Sequence, residues 1–152
     1  LLIIYLLFVS IYINKTLRLH PEGFMAHYLK GFYFLGQNNL EKALWAFEQS
    51  VKNRINNGDA HAEIGHIYFE KGFYNKAIEK YMTAIGFMNN NPLTYLHLAV
   101  SNYNIGDNQK ALYYLEVCIN RHPTYMPAYE KASEMLGAMG DLESQQYVLQ
   151  EM

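Results

Sequence analysis

GDAHAEIGHIYFEKGFYNKAIEKYMTAIGFMNNN, residues 58–91, and PLTYLHLAVSNYNIGDNQKALYYLEVCINRHPTY, residues 92–125, are consecutive 34-residue blocks that repeat each other's key side chains in place. Superposed, they pair Ile64 with Leu98, Gly65 with Ala99, Gly72 with Gly106, Ala77 with Ala111, Tyr81 with Leu115 and Ala84 with Cys118. Each block holds two amphipathic segments around a glycine, which predicts a helical hairpin, and a fixed period of such hairpins marks an all-α solenoid. Where the two helices of a hairpin cross, small residues are required. Gly65 facing Ala77, and Ala99 facing Ala111, are expected to supply them. Gly72 and Gly106 stand where the first helix ends, a position that favours the left-handed conformation. One hairpin cannot bury both of its faces, so it must stack on neighbours.

The register extends in both directions. Backward it gives a block at 24–57, with Gly31 and Ala43 at the crossing and Phe34 and Phe47 at the large positions. Asn38 replaces the turn glycine there and tolerates the same backbone region. Lys30 stands where the later blocks have Ile64 and Leu98, and its stem is expected to pack while its ammonium reaches water. Forward it gives a shorter block at 126–152, in which Gln145 replaces the crossing alanine and a more polar face suits a cap. The expected architecture is three full repeats plus a partial or capping fourth.

In detail the pattern resembles the tetratricopeptide repeat (TPR) family. Small residues fall at the eighth and twentieth positions (Gly31, Gly65, Ala99; Ala43, Ala77, Ala111), and Phe47, Tyr81, Leu115 and Leu149 at the twenty-fourth. The proline usual near each repeat's end survives only as Pro123. Ile55 and Asn89 take its place, so the linkers INNGD and MNNNP are expected to be looser. The resemblance implies a superhelix whose concave groove, lined by the first helices, binds other proteins. Carried over residue by residue, the groove is lined by Met25, Tyr28, Leu29 and Phe32 in the first repeat, Glu63, His66 and Phe69 in the second, and Leu96, His97, Val100 and Tyr103 in the third. Its amino-terminal end is apolar and aromatic, as interface anchors commonly are. The lysines, asparagines and arginine with which one subclass clamps a terminal carboxylate are absent. An amphipathic helix or extended segment with apolar anchors, and basic residues meeting Glu63, Glu70 and Glu134, is the expected ligand.

Residues 1–20 differ in character. Leu1, Leu2, Ile3, Ile4, Tyr5, Leu6, Leu7, Phe8, Val9, Ile11, Tyr12 and Ile13 are interrupted only by Ser10. Thirteen residues of helix span roughly 20 Å, short of a hydrocarbon core of roughly 30 Å. A chain that begins with Leu suggests that upstream residues complete the span. The expectation is a hydrophobic helix forming part of a single-pass membrane anchor, with Lys15 and Arg18 placing the repeats on the cytoplasmic side. The alternatives are a helix that caps the solenoid or lies in its groove, and the remnant of a secretory signal. His20, Pro21, Glu22 and Gly23 break the chain before the first repeat.

The chemistry of an enzyme is not visible. Glu63 and His66 form one E-x-x-H, whereas carboxylate-bridged metal bundles need two. His27 and His61 occupy a position usually aromatic and read as packing residues, Cys118 as a small packed residue, and Asp59, Asp107 and Asp141 as turn or helix-start residues. Nucleotide loops, nucleophile elbows and cysteine pairs are missing. A net charge of −2, with Lys and Arg scattered, gives no nucleic-acid footprint. No cofactor is implied. The sequence thus points to a non-enzymatic, membrane-anchored TPR scaffold that helps assemble a membrane protein complex. The alternative is a soluble or chaperone-like TPR module that shields a hydrophobic helix in its groove.

Overall fold

The computed structural model describes residues 2–19 and 23–152, and side chains from Ser10 onward except that of Leu17. Among these residues the chain forms nine helices and no strand. They are α1 (Leu2–Leu19), α2 (Phe24–Gly36), α3 (Leu40–Asn53), α4 (Gly58–Glu70), α5 (Tyr74–Gly86), α6 (Pro92–Asn104), α7 (Asn108–Arg121), α8 (Met126–Ala138) and α9 (Leu142–Glu151). From α2 onward, neighbours pack as hairpins, α2 on α3, α4 on α5, α6 on α7 and α8 on α9. The hairpins then stack through α3 on α4, α5 on α6 and α7 on α8. The fold is a TPR-like solenoid.

Each hairpin turns by the same backbone device. Asn38, Gly72, Gly106 and Gly140 have φ of 55°, 75°, 85° and 79°. The next amide donates back across the turn, Asn39 to the Phe34 carbonyl, Phe73 to Tyr68, Asp107 to Asn102 and Asp141 to Leu136, at 2.8 to 3.0 Å. This is the six-to-one bond of a Schellman motif. Asn39, Asp107 and Asp141 then cap the second helix, their side chains accepting from the amides of Lys42, Lys110 and Ser144. Asp59 stands in the first turn of α4, at the helix start as expected, but it is not the cap. Asn57 caps α4, and the Asp59 carboxylate accepts from the Asn89 amide nitrogen at 2.8 Å.

The helix crossing also differs from the small-on-small expectation. A Cβ added to Gly31 would lie 2.4 Å from the Phe47 ring, and one added to Gly65 would lie 2.7 Å from the Tyr81 ring. The glycine therefore opens a seat for an aromatic ring of the second helix, while Ala43 and Ala77 are buried beside it. In the last hairpin the Gln145 amide comes to within 2.7 Å of a Cβ on Gly137, so a glycine one turn further along makes room for the long side chain. Lys30 lies with its ammonium 5.2 Å over Trp45 and 5.8 Å over Phe34, so aromatic faces as well as water receive the charge.

The linkers are not loose. Asn57 also donates to the Ser50 hydroxyl at 3.3 Å, and that hydroxyl donates to the Phe24 carbonyl at 2.8 Å. Asn89 is buried, with its side-chain oxygen accepting from the Thr94 hydroxyl at 2.8 Å and the Asn91 amide at 3.3 Å. Asparagine hydrogen bonds thus do in these linkers what proline rigidity does in the usual repeat.

The membrane-anchor expectation is overturned. Among the described residues no helix is long and apolar enough to cross a membrane. The apolar run within α1 ends at Ile13, and Asn14, Lys15, Thr16 and Arg18 occupy its later turns. An apolar length of twelve residues covers roughly 18 Å, against the roughly 30 Å of a hydrocarbon core. α1 instead packs on α2, and Ile13 is 3% exposed. The placement of the repeats on one side of a membrane falls with the anchor. Leu1, the side chains of Leu2 to Val9, and the break at His20 to Glu22 lie outside the described residues. Gly23 is the N-cap of α2.

The crossing predicts a stability pattern. Gly65→Ala drives a methyl into Tyr81 and should lower unfolding free energy by about 1 to 3 kcal/mol. Gly36→Ala meets nothing within 4 Å and should be neutral or stabilising by up to about 1 kcal/mol. Urea denaturation of the two variants checks the contrast.

Candidate functional site

α2, α4 and α6 are the first helices of their hairpins, and ring contacts and charge effects between them show that their inner faces adjoin. Phe69 of α4 stacks on His97 of α6 with centroids 4.4 Å apart and planes within 5°. His66 meets His97 edge-on at 5.0 Å. Tyr81, seated over Gly65 from α5, lies 5.3 Å from His66, and its hydroxyl is 3.3 Å from His97 Nδ1. On α2, Tyr28 and Phe32 touch at 5.0 Å, and both lean edge-on against Phe47, at 5.6 and 5.4 Å. The rings of the second helices, Phe47 and Tyr81, are thus the floor on which the first-helix aromatics stand.

The residues expected to line the groove separate into three groups. Met25, Leu29 and Phe32 are exposed, Phe32 at 41%, and form an open apolar surface on α2. Tyr28, Glu63, His66, Phe69 and His97 are half-buried in or beside the ring network. Leu96, Val100 and Tyr103 are also half-buried, packed against the core cluster that Ala99, Leu115 and Met135 build. A cleft of about 300 Å³ opens where α2 and α4 begin, between Phe24, Met25, Tyr28, Arg54, Asp59 and Met88. Arg54 and Met88, which the repeat positions did not single out, enter it from the linkers. The Arg54 guanidinium lies 4.6 Å over the Phe24 ring.

The charge pattern is uneven. Asp59, Glu63, His66 and Glu70 follow one another at four, three and four residues, a single face of α4. Glu63 Oε2 lies 3.6 Å from His66 Nδ1. Among the described residues no Lys or Arg lies within 4 Å of these three carboxylates. Their field is felt on both neighbours. The Tyr28 hydroxyl is pushed up to about 12, by burial first and then by Glu63 and Asp59. Burial, then Glu63 and Glu70, raises Tyr81 well above the ordinary phenol range. Burial, then the neighbouring His66, pushes His97 down to about 4. His97 is therefore neutral near pH 7, and its Nδ1 can accept the Tyr81 hydroxyl proton.

Other histidines are structural. His61 Nε2 meets the Ile55 carbonyl at 2.9 Å, and His27 stacks edge-on with Trp45 at 5.9 Å. Cys118 is fully buried, its thiol pushed up to about 11 by burial, with Sγ 3.5 Å from the Pro92 carbonyl. Among the described residues no group of three His, Cys, Asp or Glu side chains is placed to hold a metal ion.

Residues 65–106 match the family model described as TPR repeat. No curated protein sequence matches the chain. Among solved structures, the fold is similar to that of YrrB, described as a TPR protein with an unusual peptide-binding site. The TM-score is 0.83 at 17% identity, covering 91% of this chain and 72% of that one. MamA from Desulfovibrio magneticus RS-1 superposes with a TM-score of 0.82 at 14% identity, over 92% of this chain and 79% of that one. PilF from Pseudomonas aeruginosa gives 0.84 at 13% identity, over 93% of this chain and 65% of that one. At these identities the likeness is one of fold.

The depressed His97 sets a pH dependence. An unfolded chain protonates this histidine near its ordinary value of 6.5, whereas the folded chain resists protonation until about 4. Between those values the unfolded state binds the extra proton, so the contribution of His97 to stability is complete above about pH 6.5 and declines as pH falls towards 4. Unfolding free energy measured from pH 7.5 to 4 should fall less steeply in His97→Gln than in the parent protein.

Proposed function

We propose that this chain is a non-enzymatic TPR module that holds a segment of another protein in the groove formed by α2, α4 and α6. Units at 24–57, 58–91, 92–125 and 126–152 make up the solenoid in this reading. The observation that carries it is the open apolar face of Met25, Leu29 and Phe32, with Phe32 resting edge-on against Tyr28 and Phe47. Exposed large side chains standing on a rigid aromatic floor lose little further entropy when a partner covers them, the property of an interface anchor. The TPR match and the fold shared with a peptide-binding TPR protein support the same reading. A hydrophobic or amphipathic helix suits such a surface, since its row of anchors at i, i+3, i+4 and i+7 can seat along α2.

The test is a random peptide library selected on the folded protein. Selected peptides should bind with micromolar affinity. Met25→Ala, Leu29→Ala and Phe32→Ala combined should weaken them at least about tenfold while the melting temperature stays within a few degrees, because all three are solvent-facing. Binding that is indifferent to the triple substitution, or a library that yields no binder, removes this reading.

A further inference from the structure

The groove does not have one chemistry along its width. On either side of α4 the candidate groove residues are uncharged, Met25, Leu29 and Phe32 exposed on α2 and His97, stacked on Phe69, on α6. Between them α4 carries Asp59, Glu63 and Glu70 on one face. Among the described residues no lysine or arginine pairs with this row. Asp59 accepts one hydrogen bond from a neutral amide, Glu63 sits beside a histidine, and Glu70 is exposed. What distinguishes the row is its alignment on one helix face beside apolar neighbours, since surface carboxylates elsewhere are of both kinds: among the described residues Glu48 and Glu116 make no ion pair, whereas three others do. Asp107, Glu79 and Glu134 each pair with a lysine one to three residues away. Unscreened carboxylates beside aromatic walls keep a strong field, because low-dielectric surfaces focus it. Glu63 lies close enough to Tyr28 of α2 and Tyr81 of α5 to add to the burial that raises both hydroxyls.

From this pattern of an anionic row between two apolar ones, we propose that the occupant of the groove is a basic amphipathic segment. Its Lys or Arg side chains meet Glu63 and Glu70, and its apolar side chains cover Phe32 and Leu29. The proposal rests on the groove reading above and specifies the partner's charge. Glu63 and Glu70 are two helical turns apart, roughly 10.5 Å along the axis. Two cations separated by two turns of a partner helix match that spacing. The aromatic rings beside the row, Tyr28 and Phe69, offer faces for the same cations. An acidic segment would meet like charge at the centre of the groove, and a wholly neutral one would leave the carboxylates partly dehydrated and unpaired.

The probes are three synthetic 18-residue amphipathic peptides that share one leucine face and carry Lys, Gln or Glu on the flanks of that face. Titration calorimetry at low salt should show the Lys peptide binding at least about tenfold more tightly than the Gln peptide, and the Glu peptide not at all. Glu63→Gln with Glu70→Gln should weaken the Lys peptide about tenfold, leave the Gln peptide unchanged and remove most of the salt dependence. Glu48→Gln with Glu116→Gln, on exposed positions of α3 and α7, should change nothing and controls for general attraction to an acidic protein. Equal binding of the Lys and Gln peptides overturns the charge proposal and leaves the groove reading standing. A control pair as damaging as the groove pair also overturns it. Binding by none of the peptides removes both.

Discussion

The contact on which the rest depends is an aromatic ring lying over a glycine. Phe47 over Gly31 and Tyr81 over Gly65 bring the two helices of a hairpin closer than any Cβ would allow, and each ring is fully buried by doing so. Close packing of this kind leaves no slack, which is why one methyl group matters there. The same rings then reach through to the inner face. Phe47 supports Tyr28 and Phe32, and Tyr81 supports His66 and places its hydroxyl against His97. One pair of residues therefore sets the hairpin and builds the floor of the groove.

Burial explains the electrical character of that groove. His97 is packed among rings, so a proton on it is unfavourable near pH 7. A neutral ring stack of Phe69 and His97 therefore lies beside the carboxylates of α4.

Two features show how far a local pattern carries. Residues 1–13 resemble a membrane segment when taken alone, yet α1 packs on α2, Ile13 is buried and the helix soon becomes polar. Hydropathy registers that a surface needs covering and is silent on whether lipid or protein covers it. The linkers give the converse case. Without their usual prolines they read as loose, but Asn57 and Asn89 find partners on both sides of each junction. Asn89 is two to five residues from Asn91 and Thr94 but thirty from Asp59, a separation that no inspection of the linker reveals.

By itself the sequence determined the period, the hairpins, their left-handed turns at Asn38, Gly72, Gly106 and Gly140, and which faces are apolar. These follow from residue type and spacing along one helix, where each side chain's direction is known once the helix is. Only the tertiary structure decided that the crossing glycines receive rings, that Gly137 accommodates Gln145, that α1 rests on protein, and which candidate groove residues stay open. Those outcomes depend on distances between helices, and such distances are set by the simultaneous fit of many side chains.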